Sequence, residues 1–263
     1  MKITHSLGVS FGDNRIQLAE VELGKKPTVT ALAEQDSSLD FLADGAALRA
    51  DHPKVSIVLT EIGNLIQHSG ATAQHISYAL PAKLLFINTL PVDPTLKDDD
   101  LKDYLRWELQ QYFPDAGPKD FITDAYTIPS KEKDARRTFM VSVQRGIVAF
   151  LQKVTAELKL TLQIVDIDHF SSEKTLSANY PEMEKETVAL FGVRMGGVDA
   201  SVVKNHEMTD YRAYTLDASS SLEKTVARYL SYIKQKDGTQ KIAGLYLHGT
   251  QVPSEALSSL TSE

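Results

Sequence analysis

The chain has 263 residues, of which 42% are hydrophobic and 24% charged, and its net charge is −7 at pH 7. This composition is that of a globular protein with one large domain or two lobes, and the acidic balance argues against a general nucleic-acid binder or a protein that adheres to anionic membranes. The absence of cysteine excludes disulfides, thiol catalysis and zinc–thiolate sites, and is consistent with a reducing compartment.

No apolar run approaches the roughly 18 to 20 residues that a membrane-spanning helix needs. Residues 1–6 lack the apolar segment of a signal peptide. We therefore expect any membrane association to be indirect, through a partner protein.

The first 80 residues predict three strands, a helix and a fourth strand. The first strand contains Gly8-Val9-Ser10-Phe11-Gly12, and the run that follows it alternates between apolar and polar residues as a half-buried strand should. The other predicted elements are strands over 15–21, 28–35 and 76–80, a loop with a short helix over 36–52, and a helix over 55–66 that stops at Gly70.

Residues 81–160 predict a small α+β subdomain. Its elements are strands over 84–90, 121–128 and 138–144, a charged hairpin loop over 130–137, and helices over 98–113 and 147–158. Thr95 and Asp98 have the spacing of an N-terminal cap on the first helix. Trp107 lies off the apolar stripe of that helix, so it is either an edge-packing residue or an interface anchor. We favour the packing interpretation.

A strand over 162–167 places Asp166 and Asp168 near its end and on the same face. The pair would suit metal binding or water activation. Alternatively, one carboxylate caps the following helix and the other is solvated, which is the interpretation that we favour.

The second half repeats the glycine spacing of the first in Gly192-Val193-Arg194-Met195-Gly196. Repetition at a fixed place in two halves indicates a duplicated fold with two lobes. The predicted elements here are strands over 187–194, 199–204, 210–216 and 242–247, and helices over 222–233 and 253–260.

Both glycine runs have two interpretations. Glycine amides in a turn can approach a phosphate closely, or the runs are ordinary β-turns. Magnesium, which accompanies nucleotides, prefers carboxylate ligands, whereas the central residues are Ser10 and Arg194. No paired-histidine zinc motif, nucleophile elbow or P-loop is present in the sequence.

The chain resembles the PilM family, actin-like proteins of type IV pilus assembly that are related to the cell-division protein FtsA. The resemblance is carried by the first glycine run, by Leu90-Pro91, by the Trp107-Glu-Leu-Gln-Gln-Tyr-Phe-Pro114 stretch, by residues 165–168 and by Tyr246-Leu-His-Gly-Thr250. Where the family has its two motif aspartates, this chain has Ser10 and Arg194, and His248 replaces a glycine.

The resemblance implies an α/β, actin-like (ribonuclease H-like) fold with two lobes. The first lobe would comprise 1–80 and 161–182, an inserted α+β subdomain 81–160, and a shortened second lobe 187–263. A short bend around 217–221 stands where the family has a small subdomain, so that subdomain is expected to be missing.

The resemblance also implies a function. We expect a non-catalytic scaffold with no metal and no catalytic residue, cytoplasmic and peripheral to the inner membrane. It would bind the cytoplasmic N-terminal tail of a PilN-like bitopic membrane protein, with no nucleic acid and no membrane insertion of its own. The predicted walls of the peptide groove, between the first lobe and the inserted subdomain, are Leu84, Phe86, Trp107 and Tyr112.

The first alternative is an ATP-binding ATPase of pilus assembly or type II secretion, with weak or no magnesium dependence. Its predicted nucleotide-binding residues are Gly8, Ser10, Gly12, Asp166, Arg194, Gly196 and Gly249. A filament-forming cytoskeletal protein is a further alternative, which the shortened second lobe makes less favourable.

Overall fold

A computed structural model describes residues 3–115, 117–128, 136–216, 221–236 and 241–250. The chain forms two compact units, Met1–Asp168 and His169–Glu263. The predicted helix over 253–260 and most of the bend over 217–221 and of the charged loop over 130–137 lie outside the described residues. Within the described residues, no helix is long and apolar enough to cross a membrane.

In its described residues, the first unit contains eight strands and four α-helices. The strands are β1 His5–Gly12, β2 Arg15–Glu22, β3 Thr28–Asp36, β4 His75–Leu80, β5 Leu85–Val92, β6 Phe121–Ile128, β7 Arg136–Gln144 and β8 Thr161–Ile167. The helices are α1 Phe41–Asp44, α2 Val55–Ser69, α3 Asp98–Tyr112 and α4 Arg145–Glu157, and short 3₁₀ helices occupy Gly45–Ala47, Ala82–Leu84 and Pro118–Asp120.

Five of these strands form one sheet in the order β3-β2-β1-β4-β8, in which β1, β4 and β8 are parallel. The alternation of apolar residues along β1 and β2 gives the sheet one buried face. Helices α2 and α4 cover this face because each has an apolar stripe. The resulting core includes Leu7, Val9, Ile16, Ile62, Ile76, Phe150 and Leu151.

The other three strands form a second sheet in the order β5-β7-β6, which packs against α3. The buried residues of this small core are Leu90, Val92, Leu105, Leu109 and Met140. Helix α4 follows β7 directly, but its buried residues join the core of the five-stranded sheet. The predicted limits of the inserted subdomain, 81–160, stay a prediction, and this packing favours an end near Gln144.

Two local predictions for this region are wrong. Thr95 does not cap α3, because its N–H and hydroxyl both donate to Asp93 Oδ1, at 2.8 and 2.7 Å. Lys97 is the residue at the N-terminus of α3 and makes no side-chain cap. The strand predicted to end at residue 90 instead continues through Pro91 to Val92, because proline is tolerated on the edge strand of a sheet.

The second unit contains a four-stranded sheet, and α5 begins at the last residue of the first unit. The helices are α5 Asp168–Asn179 and α6 Leu222–Lys236, with a 3₁₀ helix at Pro181–Lys185, and the strands are β9 Thr187–Arg194, β10 Gly197–Lys204, β11 Glu207–Thr215 and β12 Gly244–His248. The sheet has the order β11-β10-β9-β12, and α6 packs against its core.

The strand order of this sheet matches the order β3-β2-β1-β4 in the first unit, with three antiparallel strands followed by a parallel one. The duplication predicted from the glycine runs is therefore present in the strand order. Only residues 216–221 connect β11 to α6, which leaves no room for a subdomain at this point.

Candidate functional site

In the first unit, Ser10 and Asp166 lie in one register row at the carboxyl ends of parallel strands. Ser10 on β1 pairs with Ala79 on β4, which pairs with Asp166 on β8. Two strand spacings put the Cα atoms of Ser10 and Asp166 about 10 Å apart. The carboxyl ends of parallel strands are where ligands bind in open α/β sheets, so the predicted residues do share an edge.

The polar atoms of these two residues already have partners. The Ser10 hydroxyl donates to Gln17 Oε1 at 3.3 Å. Asp166 Oδ1 accepts from the amide of Ile167 at 2.7 Å. The second carboxylate of the predicted pair, Asp168, is buried and is the first residue of α5.

The glycines of the first run do not form the tip of its hairpin. Gly8 and Gly12 are strand residues, and the turn is made by Asp13 and Asn14, with φ of 50° and 59°. A Cβ on Gly8 would have its nearest neighbour, Ala19 O, at 4.0 Å. The prediction of a glycine-tipped turn is therefore wrong for the first hairpin, because aspartate and asparagine tolerate the left-handed region.

The second hairpin does turn at a glycine. Gly196 has φ of 69°, and β10 begins at the next residue. Gly249, which follows β12, has φ of 112°, and a Cβ there would lie 2.1 Å from Val193 O. The turn at Gly249 and the strand containing Arg194 are thus packed backbone against backbone, which only glycine permits.

A chain of four hydrogen-bonded side chains lies inside the second unit. Ser172 Oγ is 3.1 Å from His248 Nδ1, His248 Nε2 is 2.9 Å from His169 Nδ1, and His169 Nε2 is 2.9 Å from Ser201 Oγ. His169 and Ser201 are fully buried. Every hydrogen bond in this series can form when both imidazoles are neutral, since each ring then donates at one nitrogen and accepts at the other.

Gly192 makes room for the imidazole pair. A Cβ at this position would lie 2.8 Å from His248 Nε2 and 2.9 Å from His169 Nδ1. Burial, and after it the positive charge of Arg194, lower the pKa of His248 to about 4. Burial, then His248 and Arg194, hold the pKa of His169 well below its ordinary value. Both rings are therefore neutral at pH 7.

Sequence reasoning missed this cluster. It compared histidines only at helical spacing, whereas His169 and His248 are 79 residues apart. The one available signal was His248 itself, a histidine at a strand end where the resembling family has glycine.

The residues at these edges do not fit a magnesium–nucleotide complex held by carboxylates. Ser10 and Arg194 stand where the family has its two motif aspartates. The positive charge of Arg194, next to the imidazole pair, disfavours a cation there. Among the described residues, no three His, Asp or Glu side chains converge as a metal site.

The first unit also contains a groove of about 750 Å³ beside the C-terminal end of α3. Its apolar lining consists of Ala46, Tyr112, Phe113, Pro114, Phe121 and Ala149. Its polar lining consists of Arg49, Asp115, Lys119, Asp120, Gln144 and Arg145. The aromatic wall is held by ring contacts, with Phe113 5.1 Å from Phe121 and 5.3 Å from Phe86 between centroids.

Of the four predicted wall residues, one lines this groove. Tyr112 does, and its hydroxyl accepts a hydrogen bond from Asn88 at 2.9 Å. Phe86 packs behind it, 4.7 Å from its ring. Leu84 packs against the core of the five-stranded sheet. Trp107 stacks on Tyr104 but is 55% exposed. Packing therefore accounts for only part of this side chain.

Comparisons with known proteins agree with this architecture. A solved structure described as the PilM-PilN type IV pilus biogenesis complex is similar over 98% of this chain and 84% of that chain, with 16% identity and a TM-score of 0.74. A Bacteroides thetaiotaomicron protein with an actin-like ATPase fold and unknown function is similar over 98% and 87%, at 12% identity and a TM-score of 0.54. These likenesses establish an actin-like fold.

The Aquifex aeolicus PPX-GPPA enzyme is similar over 99% of this chain and 72% of that chain, at 10% identity and a TM-score of 0.50. A comparison with curated protein sequences gave no match. The family model for type IV pilus assembly protein PilM matches residues 8–246. Because this match spans most of the sequence and the fold agrees with it, the chain belongs to the PilM family of type IV pilus assembly proteins.

Proposed function

We propose that this protein is a non-catalytic, actin-like scaffold of a type IV pilus assembly platform. Its partner would be a PilN-like membrane-anchored protein, whose short cytoplasmic N-terminal tail it binds. The protein would then be cytoplasmic and peripheral to the inner membrane. The similar solved complex pairs a PilM with a PilN, and the observation that carries the proposal here is the groove beside α3.

The groove suits an extended peptide. Its lining combines aromatic with polar side chains, the combination by which pockets hold apolar side chains and orient a main chain. Tyr112 and Phe113 are at the end of the stretch that resembles the PilM family most specifically. The proposed peptide site therefore lies at the end of α3, with Tyr112 as the predicted wall residue that it retains.

The residues at the predicted nucleotide site support a scaffold that does not hydrolyse ATP. Ser10 and Arg194 replace the two metal-orienting acids, and Asp166 is the one carboxylate left among the predicted nucleotide residues. In the second unit, the two imidazoles fill the space over Gly192. No catalytic step follows from this arrangement.

The test is calorimetric titration of the full chain with a synthetic tail peptide of the PilN-like partner from the same organism. We expect micromolar binding that Tyr112→Ala weakens by about tenfold, because the variant removes one wall of the groove. Trp107→Ala is the matched control, since it removes an exposed aromatic of the same helix outside the groove.

The two variants separate the outcomes. If Trp107→Ala abolishes binding and Tyr112→Ala does not, the tail binds the solvent face of α3 and the groove assignment is wrong. Absence of binding at high micromolar peptide contradicts the scaffold proposal itself.

The second candidate function is an ATP-binding ATPase, favoured by the shared edge of Ser10 and Asp166 and by the glycine turn at Gly196. Titration with ATP, with and without magnesium, tests it. We expect no magnesium-dependent heat at millimolar nucleotide and negligible turnover. Efficient hydrolysis that is lost in Asp166→Ala would move this alternative to first place.

A further inference from the structure

Two arginines that line the groove are held by main-chain carbonyl groups. Arg49 Nη1 donates to Ala46 O at 3.1 Å and to Leu48 O at 2.7 Å. Arg145 donates through Nε to Lys119 O at 2.8 Å and through Nη2 to Phe121 O at 3.2 Å. Both side chains are exposed, so these bonds fix the position of each guanidinium without removing it from the groove.

The carbonyl partners orient the two arginines without neutralising them. Neither guanidinium forms an ion pair with a carboxylate in the part of the chain that the structure describes, whereas Arg15 and Arg106 each do. Arg49 keeps its Nε and Nη2 donors for a ligand, and Arg145 keeps Nη1. A guanidinium with a free N–H edge matches a carboxylate, which it can bind in a bidentate manner.

Gly146 lets the Arg49 guanidinium approach the start of α4. A Cβ at Gly146 would lie 2.9 Å from Arg49 Nη1 and 2.3 Å from Leu48 O. Glycine therefore lets the Arg49 guanidinium lie against the residue that follows Arg145. The same residues open α4, and Gln144 makes no side-chain cap there, so the amides of the first turn add partial positive charge.

The acidic side chains of the lining oppose this charge only in part. Asp120 Oδ2 accepts from the amide of Gly117 at 2.8 Å and so stabilises its own loop. Asp115 also lines the groove, and Lys119 adds a third cation. In a chain of net charge −7, the lining is a local excess of positive charge.

We infer that the groove selects a peptide with an acidic residue, whose carboxylate lies between Arg49 and Arg145. The inference rests on the proposed peptide binding and names the chemistry that the partner must supply. The apolar wall would hold neighbouring side chains of the same peptide, while the arginine pair sets its register.

A double-mutant cycle tests the inference. Tail peptides of the PilN-like partner are prepared with each Asp or Glu exchanged singly for Asn or Gln, and their affinity is measured for the full chain and for Arg145→Gln. We expect one exchange to weaken binding to the wild type by about tenfold or more, as for a charge-assisted bidentate pair. The same exchange should weaken binding to Arg145→Gln by a clearly smaller factor, because only Arg49 then faces the carboxylate.

Further variants keep the test decisive. Arg49→Gln should give the same pattern, and Arg145→Lys should restore only part of the affinity, because lysine lacks the planar fork. If Arg145→Gln is unfolded by circular dichroism, the lysine variant and Arg49→Gln carry the cycle. Sodium acetate and sodium phosphate are competitors, and displacement of the peptide by millimolar concentrations of either would reduce the site to one for free anions.

The outcomes distinguish the inference from the proposed function. A tail that binds, is weakened by Tyr112→Ala and is indifferent to every acid-to-amide exchange overturns the inference and leaves the scaffold intact. A tail without any acidic residue that binds in the groove also overturns it. No binding by any peptide is instead a failure of the proposed function.

Discussion

The two glycine runs, at 8–12 and 192–196, have the same spacing and the same place in their sheets but opposite surroundings. Both begin within a strand, β1 or β9, that pairs with an antiparallel strand on one side and a parallel strand on the other. A Cβ on Gly8 would meet nothing closer than 4.0 Å, whereas a Cβ on Gly192 would meet two imidazole rings below 3.0 Å. The first edge is open and the second is filled by side chains of its own unit.

This difference shows what a local pattern can specify. Glycine spacing and strand alternation determine a hairpin, because they act over a few residues. The surroundings of the hairpin come from distant residues, here α5 and the end of β12. In the second unit a buried hydrogen-bonded network lies where the first unit has an exposed backbone. Substitutions at the two edges should therefore change the free energy of unfolding by different amounts.

The largest effect is expected for Gly249→Ala in the second unit. The substitution combines a φ of 112° with a Cβ only 2.1 Å from Val193 O. We expect a loss of about 3 to 5 kcal/mol in the free energy of unfolding, measured by urea denaturation. Gly70→Ala is the control, since Gly70 also has a left-handed φ but no atom within 4 Å of its Cβ, and it should cost about 1 kcal/mol.

The paired substitutions Gly192→Ala and Gly8→Ala test the comparison directly. Gly192→Ala should cost about 2 to 3 kcal/mol, because the buried rings must move. Gly8→Ala should be neutral or stabilising by up to about 1 kcal/mol, because alanine restricts the unfolded chain. Equal effects in the two variants would show that the second edge is no more filled than the first.

The imidazole pair predicts that stability falls as pH is lowered below about 6.5, the ordinary pKa of histidine. In the unfolded chain both histidines bind protons in this range, whereas the folded pKa values are depressed, to about 4 for His248. Each histidine then removes up to about 1.4 kcal/mol per pH unit between these limits.

Urea midpoints measured from pH 7.5 to pH 4.5 check this prediction. His248→Asn removes one titrating group and should flatten the profile, while His206→Asn, a change in the turn between β10 and β11 of the same unit and outside the imidazole pair, should leave its slope in place. A wild-type profile without slope in this interval contradicts a buried neutral pair.

Sequence reasoning predicted most of the strands and helices but little of the surroundings of the candidate sites. The end of α2 at Gly70 and the hairpin strands were accessible because their signals are local. The cap at Thr95 failed because Asp93 competes for the same donors at close range. His169 and Arg145 have no local signal, since their hydrogen-bond partners are distant in the chain.

The smallest expected change in stability comes from alanine substitutions at two serines, Ser201 and Ser10. Ser201 is fully buried and lies 2.9 Å from His169 Nε2. Ser201→Ala should therefore cost about 1 to 2 kcal/mol in the free energy of unfolding, because it leaves a buried ring nitrogen without its partner. Ser10 makes a longer, exposed bond of 3.3 Å to Gln17, so Ser10→Ala should stay within about 0.5 kcal/mol.

The pH profile sharpens this last contrast. In Ser201→Ala the imidazolium form of His169 also loses the hydroxyl that would accept its Nε2–H, so protonation should become no easier and the fall in stability should be at least as steep as in the wild type. Ser10→Ala has no imidazole to act on and should reproduce the wild-type slope. If Ser10→Ala is the more destabilising variant, the first edge, and not the second, is the one closed by its own side chains.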